Sequence, residues 1–298
     1  MRQITLIGAP TSAGAYAPGQ EKAPGAFRAY GIVDALRRTG WDVSDAGDVE
    51  GFRWQTDSDR PKTMNLDAVV RIGKQVSDAV ARALQADGCA LVLGGDCTIE
   101  LGTVAGALRD GRSTGLIYID LDTDLNPPEA SDGALDWTGV AHMLNLEGTA
   151  PELSSMGPMR PMLMNSDILF LAADNIPPSE RHVIQSRGLK IIELEEARSD
   201  PRSAARRATE WGKGFDRLLV HLDVDVLSFT SFPIAENVRR RNGLTLSELG
   251  EILQELLAAP NWATLTITEV NPDHAPVLES SFAELIAMLE QAFAAASR

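Results

Sequence analysis

The chain has little with which to staple itself, span a membrane or grip nucleic acid. Among 298 residues there are only 2 cysteines, Cys89 inside an apolar run and Cys97 in a polar turn, poor material for a disulfide framework. Basic residues are outnumbered, 27 Lys and Arg against 42 Asp and Glu. The formal charge of -15, with no basic stripe to offset it, excludes nucleic acid and anionic membranes as expected partners. No segment approaches the roughly 20 apolar residues of a membrane span. "MRQITLIGAP" has too short an apolar run for a signal peptide and lacks a small-residue cleavage site, so it reads as a first strand. A cytoplasmic protein is therefore expected. Histidine is scarce too, with only His142, His182, His221 and His274.

What the chain has is ample core material, at 44% hydrophobic residues, arranged with a clear rhythm. The runs "ITLIGA", "WDVSDAG", "CALVLGG", "TGLIYID", "DILFLAA", "LKIIEL", "RLLVHLDVD" and "WATLTITEV" read as strands. Helical patterns separate them. The most regular repeats Leu66, Val69, Ile72, Val76, Val80 and Leu84 at three and four residues and closes at Gly88. Others run from Leu246 through Leu256 and from Phe282 towards the C-terminus. Strands apolar at nearly every position, alternating with helices, predict a parallel sheet covered on both faces. No repeat or linker interrupts residues 1–298, so one domain is expected. An open sheet and a closed barrel fit this pattern equally, and both place their site at the C-terminal ends of the strands.

Those ends carry unusual residues. "YIDLDTDLNPP" sets Asp120, Asp122 and Asp124 at alternate positions, and "LLVHLDVDVL" does the same with Asp223 and Asp225. An extended strand would put each set on one face. Like charges that close raise one another's pKa and destabilise the fold unless a cation sits between them. With Cys97 after "LGGD" and Glu269 in "TEVNP", four strand ends deliver a thiol and six carboxylates to one edge. Asp120 and Asp223, the first carboxylate of each cluster, are placed to bridge two divalent ions about 3.5 to 4 Å apart, with Asp122, Asp124 and Asp225 as terminal ligands. Such oxygen-rich sets favour Mn²⁺ or Mg²⁺. Capping of strand ends is the plainer alternative for these aspartates.

"LGGDCT", "YIDLDTDLNPP", "HLDVDVL" and "TEVNP", in that order, resemble the arginase or ureohydrolase family. The resemblance covers nearly the whole chain and implies one open three-layer α/β/α domain with a mainly parallel sheet of about eight strands. It implies two Mn²⁺ ions, attack of a metal-held hydroxide on a guanidinium carbon, release of urea, a small guanidino substrate and a homo-oligomer. Both of the family's histidine ligands are replaced, by Cys97 and Asp122. "GGDCT" with "GALDW" looks like a subgroup that includes N-hydroxyarginine amidinohydrolases. The resemblance makes Glu269 the residue that binds the guanidinium, Asn126 a contact to the substrate's carboxylate, and Asp136 the residue nearest the family's proton-transferring His. Ile176 stands where the family places an Asp that reads the substrate's amino group, which argues against ordinary L-arginine.

His274, just beyond the strand bearing Glu269, is a candidate replacement proton carrier, while His142 and His221 read as packing residues and His182 as a surface residue. Thiols suit Mn²⁺ poorly, so the ion near Cys97 is expected to be weakly held or absent. Arg239, Arg240 and Arg241 read either as a solvated run or as recognition of an anionic substrate tail. Two rivals to the hydrolase reading stand beside it. One is a degenerate family member with a binding or scaffolding role, since both His ligands are gone. The other is a phosphotransferase of the haloacid-dehalogenase type, which uses a similar Asp-x-Asp.

Overall fold

The structure, a computed structural model, describes residues 3–296. All eight expected strands form: β1 (Gln3–Gly8), β2 (Asp42–Asp48), β3 (Cys89–Leu93), β4 (Thr114–Ile119), β5 (Ile168–Ala173), β6 (Lys190–Glu193), β7 (Arg217–Asp223) and β8 (Trp262–Thr268). They lie in one open sheet in the order β2-β1-β3-β8-β7-β4-β5-β6, and every pairing is parallel. The open sheet, not the barrel, is what forms.

Alternation along each strand feeds two separate cores. Cys89, Leu91 and Leu93 of β3 and Leu218, Val220 and Leu222 of β7 face one layer, with Phe27, Leu253, Phe282 and Phe293 of the covering helices. Ala90 and Val92, with Leu116 and Tyr118 of β4, face the other, under the helices Leu66–Ala83 and Ile99–Ala107. Each fully buried aliphatic side chain contributes roughly 1.5–3 kcal/mol of transfer free energy, so burial on both faces selects the near-continuous apolar runs of the strands.

The strand order positions the site. The chain passes from β3 to β4 before β7 and β8 are made, and these later strands then fill the space between them. The four strands bearing the unusual ends, β3, β8, β7 and β4, become the four central neighbours of the sheet. Ligands of open parallel sheets bind at such points, outside the carboxyl ends of the strands.

Candidate metal centre

Beyond β3 the chain turns tightly through Gly94 and Gly95. A Cβ on Gly95 would run into the Thr11 carbonyl oxygen, so only glycine lets the loop after β1 approach here. Asp96 is wholly buried and points away from the cavity, accepting from the backbone N–H groups of Gly14 and Thr98, both at 3.0 Å. That anchor aims the next residue, Cys97, into the site.

The two aspartate clusters converge by a different route from extended alternation. β4 ends at Ile119 and β7 at Asp223, so Asp122, Asp124 and Asp225 lie beyond the strands. The first carboxylate of each cluster accepts the backbone N–H two residues on, Asp122 N to Asp120 Oδ1 and Asp225 N to Asp223 Oδ1, each at 2.8 Å. This is the Asx turn favoured by aspartate, and it curls both strand ends inward in the same way. Asp124 has a left-handed backbone (φ 50°) and is held by the Tyr118 hydroxyl. Glu269 is left-handed as well (φ 60°), a conformation uncommon outside glycine and concentrated at functional sites.

The result is a cavity of about 550 Å³ lined by Cys97, Asp120, Asp122, Asp124, Asp136, Asp223, Asp225 and Glu269, with Tyr16, Trp137 and Val238 exposed on its walls. Two triangles of ligand atoms form within it, Asp120–Asp122–Asp225 and Cys97–Asp223–Glu269, the atoms of each within 4.8 Å of one another. The second triangle is internally satisfied. The Cys97 thiol donates to Asp223 Oδ2 (3.1 Å), and the two oxygens of Glu269 accept from Cys97 N (2.9 Å) and Gln20 Nε2 (3.0 Å). The first is not, for Asp225 Oδ1 is buried without a hydrogen-bond partner.

Two expected site residues are not on the cavity wall. The Asn126 amide turns away to donate to Glu180 Oε1 at 2.5 Å, because the buried Glu180 also gathers Thr123 and Leu125 N and pulls the whole turn towards itself. His274 is carried past the site by the turn Pro272–His274; its Nδ1 contacts the Ala235 carbonyl (2.8 Å) and its Nε2 lies 3.4 Å from Asn271 Nδ2. Ile176 packs against the core, and its neighbour Asn175 faces the cavity and donates to Asp122. His142 is a packing residue as expected, its pKa lowered to about 4 by burial, while His182 is exposed.

Sequence reasoning missed several contributors. His221 sits directly beneath the site, its Nε2 3.5 Å from the Cys97 sulfur, stacked on Tyr118 at 4.1 Å and backed by the buried Glu100 at 3.5 Å from Nδ1. Gln20 was unforeseen, and Arg240, expected only as part of a solvated run or as a reader of an anionic substrate tail, takes a different role. Arg240 lays its guanidinium on Asp122 and Asp225. The signal for Gln20 was only its place in a glycine-rich loop, and for Arg240 only its place in a run of three arginines.

Burial pushes the carboxyls of Asp120, Asp124, Asp136, Asp225 and Glu269 well above the ordinary 3.8 to 4.5, and neighbouring carboxylates push them further. The Cys97 thiol is raised for the same two reasons, which keeps it a hydrogen-bond donor. For the metal-free protein the native state therefore binds more protons than the unfolded chain once the pH passes those ordinary values. Stability is then lost as pH rises. His142 opposes this between about 4 and about 6.5, but it is one group against many raised carboxyls. Chelator-treated protein should show a lower denaturant midpoint at about pH 8 than at about pH 5, and manganese should reverse the trend. A midpoint that climbs with pH in the chelated protein would contradict this.

The donor set suits a divalent cation: oxygen-rich, buried, bearing more negative charge than Arg240 neutralises, and with a partnerless oxygen on Asp225. An open parallel sheet with such a cluster at its carboxyl edge is the framework of a metal-binding α/β protein. The chain belongs to the arginase family, whose family model matches residues 2–292. It is 28% identical to human Arginase-1 over 275 residues, 91% of this chain and 85% of that protein. Its fold matches the arginase of Bacillus caldovelox with a TM-score of 0.86 at 24% identity, covering 98% of both chains. It also matches the formimidoylglutamase of Bacillus subtilis, with a TM-score of 0.77 at 18% identity, over 100% of this chain and 88% of that one. Members of this family are hydrolases of guanidino C–N bonds, which leaves the phosphotransferase reading without support. No helix among the described residues is long and apolar enough to cross a membrane.

Proposed function

We propose that this protein is a manganese-dependent amidinohydrolase that cleaves a linear C–N bond of a guanidino compound and releases urea. The convergence of six carboxylates from β4, β7 and β8 on one open cavity carries this reading, because carboxylates that close can all be ionised together only with cations beside them. Asp120, Asp122, Asp124, Asp223 and Asp225 would hold the ions, with Cys97 a weak donor at best beside Asp223. Bound divalent ions supply an acidified water as nucleophile and polarise the group under attack. Glu269, fixed by Gln20 and Cys97 N, receives the cationic guanidinium and orients its carbon. Asp136, a carboxyl of the cavity wall raised by burial and by Asp96, would pass a proton to the departing amine.

The rest of the cavity lining bears on the substrate's other end. Asn126, the expected contact to a substrate carboxylate, is turned to Glu180, and Ile176, standing in place of the Asp that would read an amino group, packs inward, while Tyr16, Trp137 and Val238 offer exposed apolar surface. A guanidine bearing an apolar or aromatic substituent should therefore be turned over with a kcat/KM about a hundredfold above that for L-arginine, a difference of the size that an unread polar group produces. A urea-release panel with Mn²⁺ tests both statements. No urea from any guanidine by manganese-loaded protein would reject the activity, and efficient L-arginine turnover would reject the specificity.

A further inference from the structure

Arg240 places a guanidinium inside the proposed metal cluster. Its Nη2 contacts Asp122 Oδ2, and its Nε, which is buried with no hydrogen-bond partner, lies 3.5 Å from Asp225 Oδ2. The segment carrying it is pinned on both sides. Phe229 N donates to the Arg240 carbonyl (2.7 Å), Ser228 Oγ to the Arg241 carbonyl (2.7 Å), and Asn242 Nδ2 to Asp174 (2.9 Å). Three residues on, the Thr245–Glu248 capping box starts the next helix and fixes the segment's far end. Such a mount delivers the side chain to one place.

The carboxylates it touches are two of the three that would hold an ion. Asp120, Asp122 and Asp225 bring their oxygens within 4.8 Å of one another, and Arg240 takes up Asp122 and Asp225 from the cavity side. A guanidinium neutralises one carboxylate of that triangle, whereas a divalent ion neutralises two and also satisfies the partnerless Asp225 Oδ1. The guanidinium and the ion draw on the same two carboxylates, and a fixed positive charge lying on them raises the cost of adding a dication there. Asp122 is the extra negative charge of this site, standing where the family pattern has a histidine, and Arg240 is the cation that lies on it.

We propose that Arg240 is a tethered cation that holds Asp122 and Asp225 together in the metal-free protein and competes with a divalent ion for them. The proposal rests on the metal-dependent reading above. Binding of the ion and release of the guanidinium are then linked, and each weakens the other by the same factor.

The test is calorimetric titration of chelator-treated protein with manganese chloride, for the wild type, Arg240→Gln and Arg240→Lys, with melting of the metal-free proteins alongside. Arg240→Gln should bind manganese about tenfold or more tighter, within the range of such couplings. Arg240→Lys, which keeps the charge, should stay near the wild type. Metal-free Arg240→Gln should melt at a lower temperature, since it has lost the cation that offsets the carboxylates. The sign is diagnostic, because a residue that merely props up the ligands would lower manganese affinity when removed. Equal or weaker binding by Arg240→Gln, or an unchanged metal-free melting temperature, overturns the competition and leaves the metal reading intact. No manganese uptake by the wild type or either variant overturns both.

Discussion

Asp223→Ala should leave the protein unable to hold manganese at either position, with metal analysis of the purified variant finding neither ion. Asp223 is the hinge between the two ligand triangles. It accepts the Cys97 thiol on one side and the backbone N–H of Asp225 on the other. It is also the foremost charged neighbour raising Asp120, Asp225 and Glu269. Removing it takes one ligand from the Cys97 side and unfastens the turn that aims Asp225 at the other. The loss should far exceed the roughly 10- to 100-fold that contacts outside the ligand set cost. The protein should still fold, because removing one of several mutually repelling buried carboxylates relieves the metal-free state. Manganese content equal to wild type in a folded variant would dismiss the cluster as the metal centre.

How far the sequence went depends on the range of the forces involved. Strand identity is local, since burial on both faces makes each strand a nearly unbroken apolar run, and all eight were legible. Strand order is not local. Nothing in "RLLVHLDVD" or "WATLTITEV" says that they will slot between β3 and β4, yet that insertion makes the four functional strand ends neighbours. The carboxylates could be named because their spacing is unusual, but the reason they converge was misjudged. Asx turns beyond the strands bend Asp122 and Asp225 inward, where an extended strand would have sent them along one face.

The failures share a cause. Asn126 and His274 lie in the expected loops, and distant residues decided their direction: Glu180 captured the first, and the Ala235 carbonyl and Asn271 the second. Arg240 was visible only as the middle of three arginines, because its partner Asp122 is 118 positions away. Single-sequence patterns report which residues are near an element's end, and long-range contacts decide which of them face the cavity.

Glu269 gives the second large effect, and its variant also decides what the Cys97 triangle is for. Its carboxyl could complete a metal site with Cys97 and Asp223, whose atoms lie within 4.8 Å, or meet the substrate's guanidinium. The hydrogen bonds favour the second role. Both oxygens are already held, by Cys97 N and Gln20 Nε2, in an orientation the left-handed backbone at φ 60° imposes. Burial, followed by Asp223 and Asp136, raises its pKa, and a cation beside it favours the ionised form. Glu269→Gln keeps the shape, one acceptor oxygen and the packing while removing that charge. It should lower kcat/KM for the best guanidine by about a hundredfold to a thousandfold, the usual loss when one preorganised electrostatic contact is removed. Manganese stoichiometry should not change. If the variant instead loses one equivalent of manganese along with its activity, Glu269 is a metal ligand, and the guanidinium must be received by Asp136 or another carboxylate of the cavity wall.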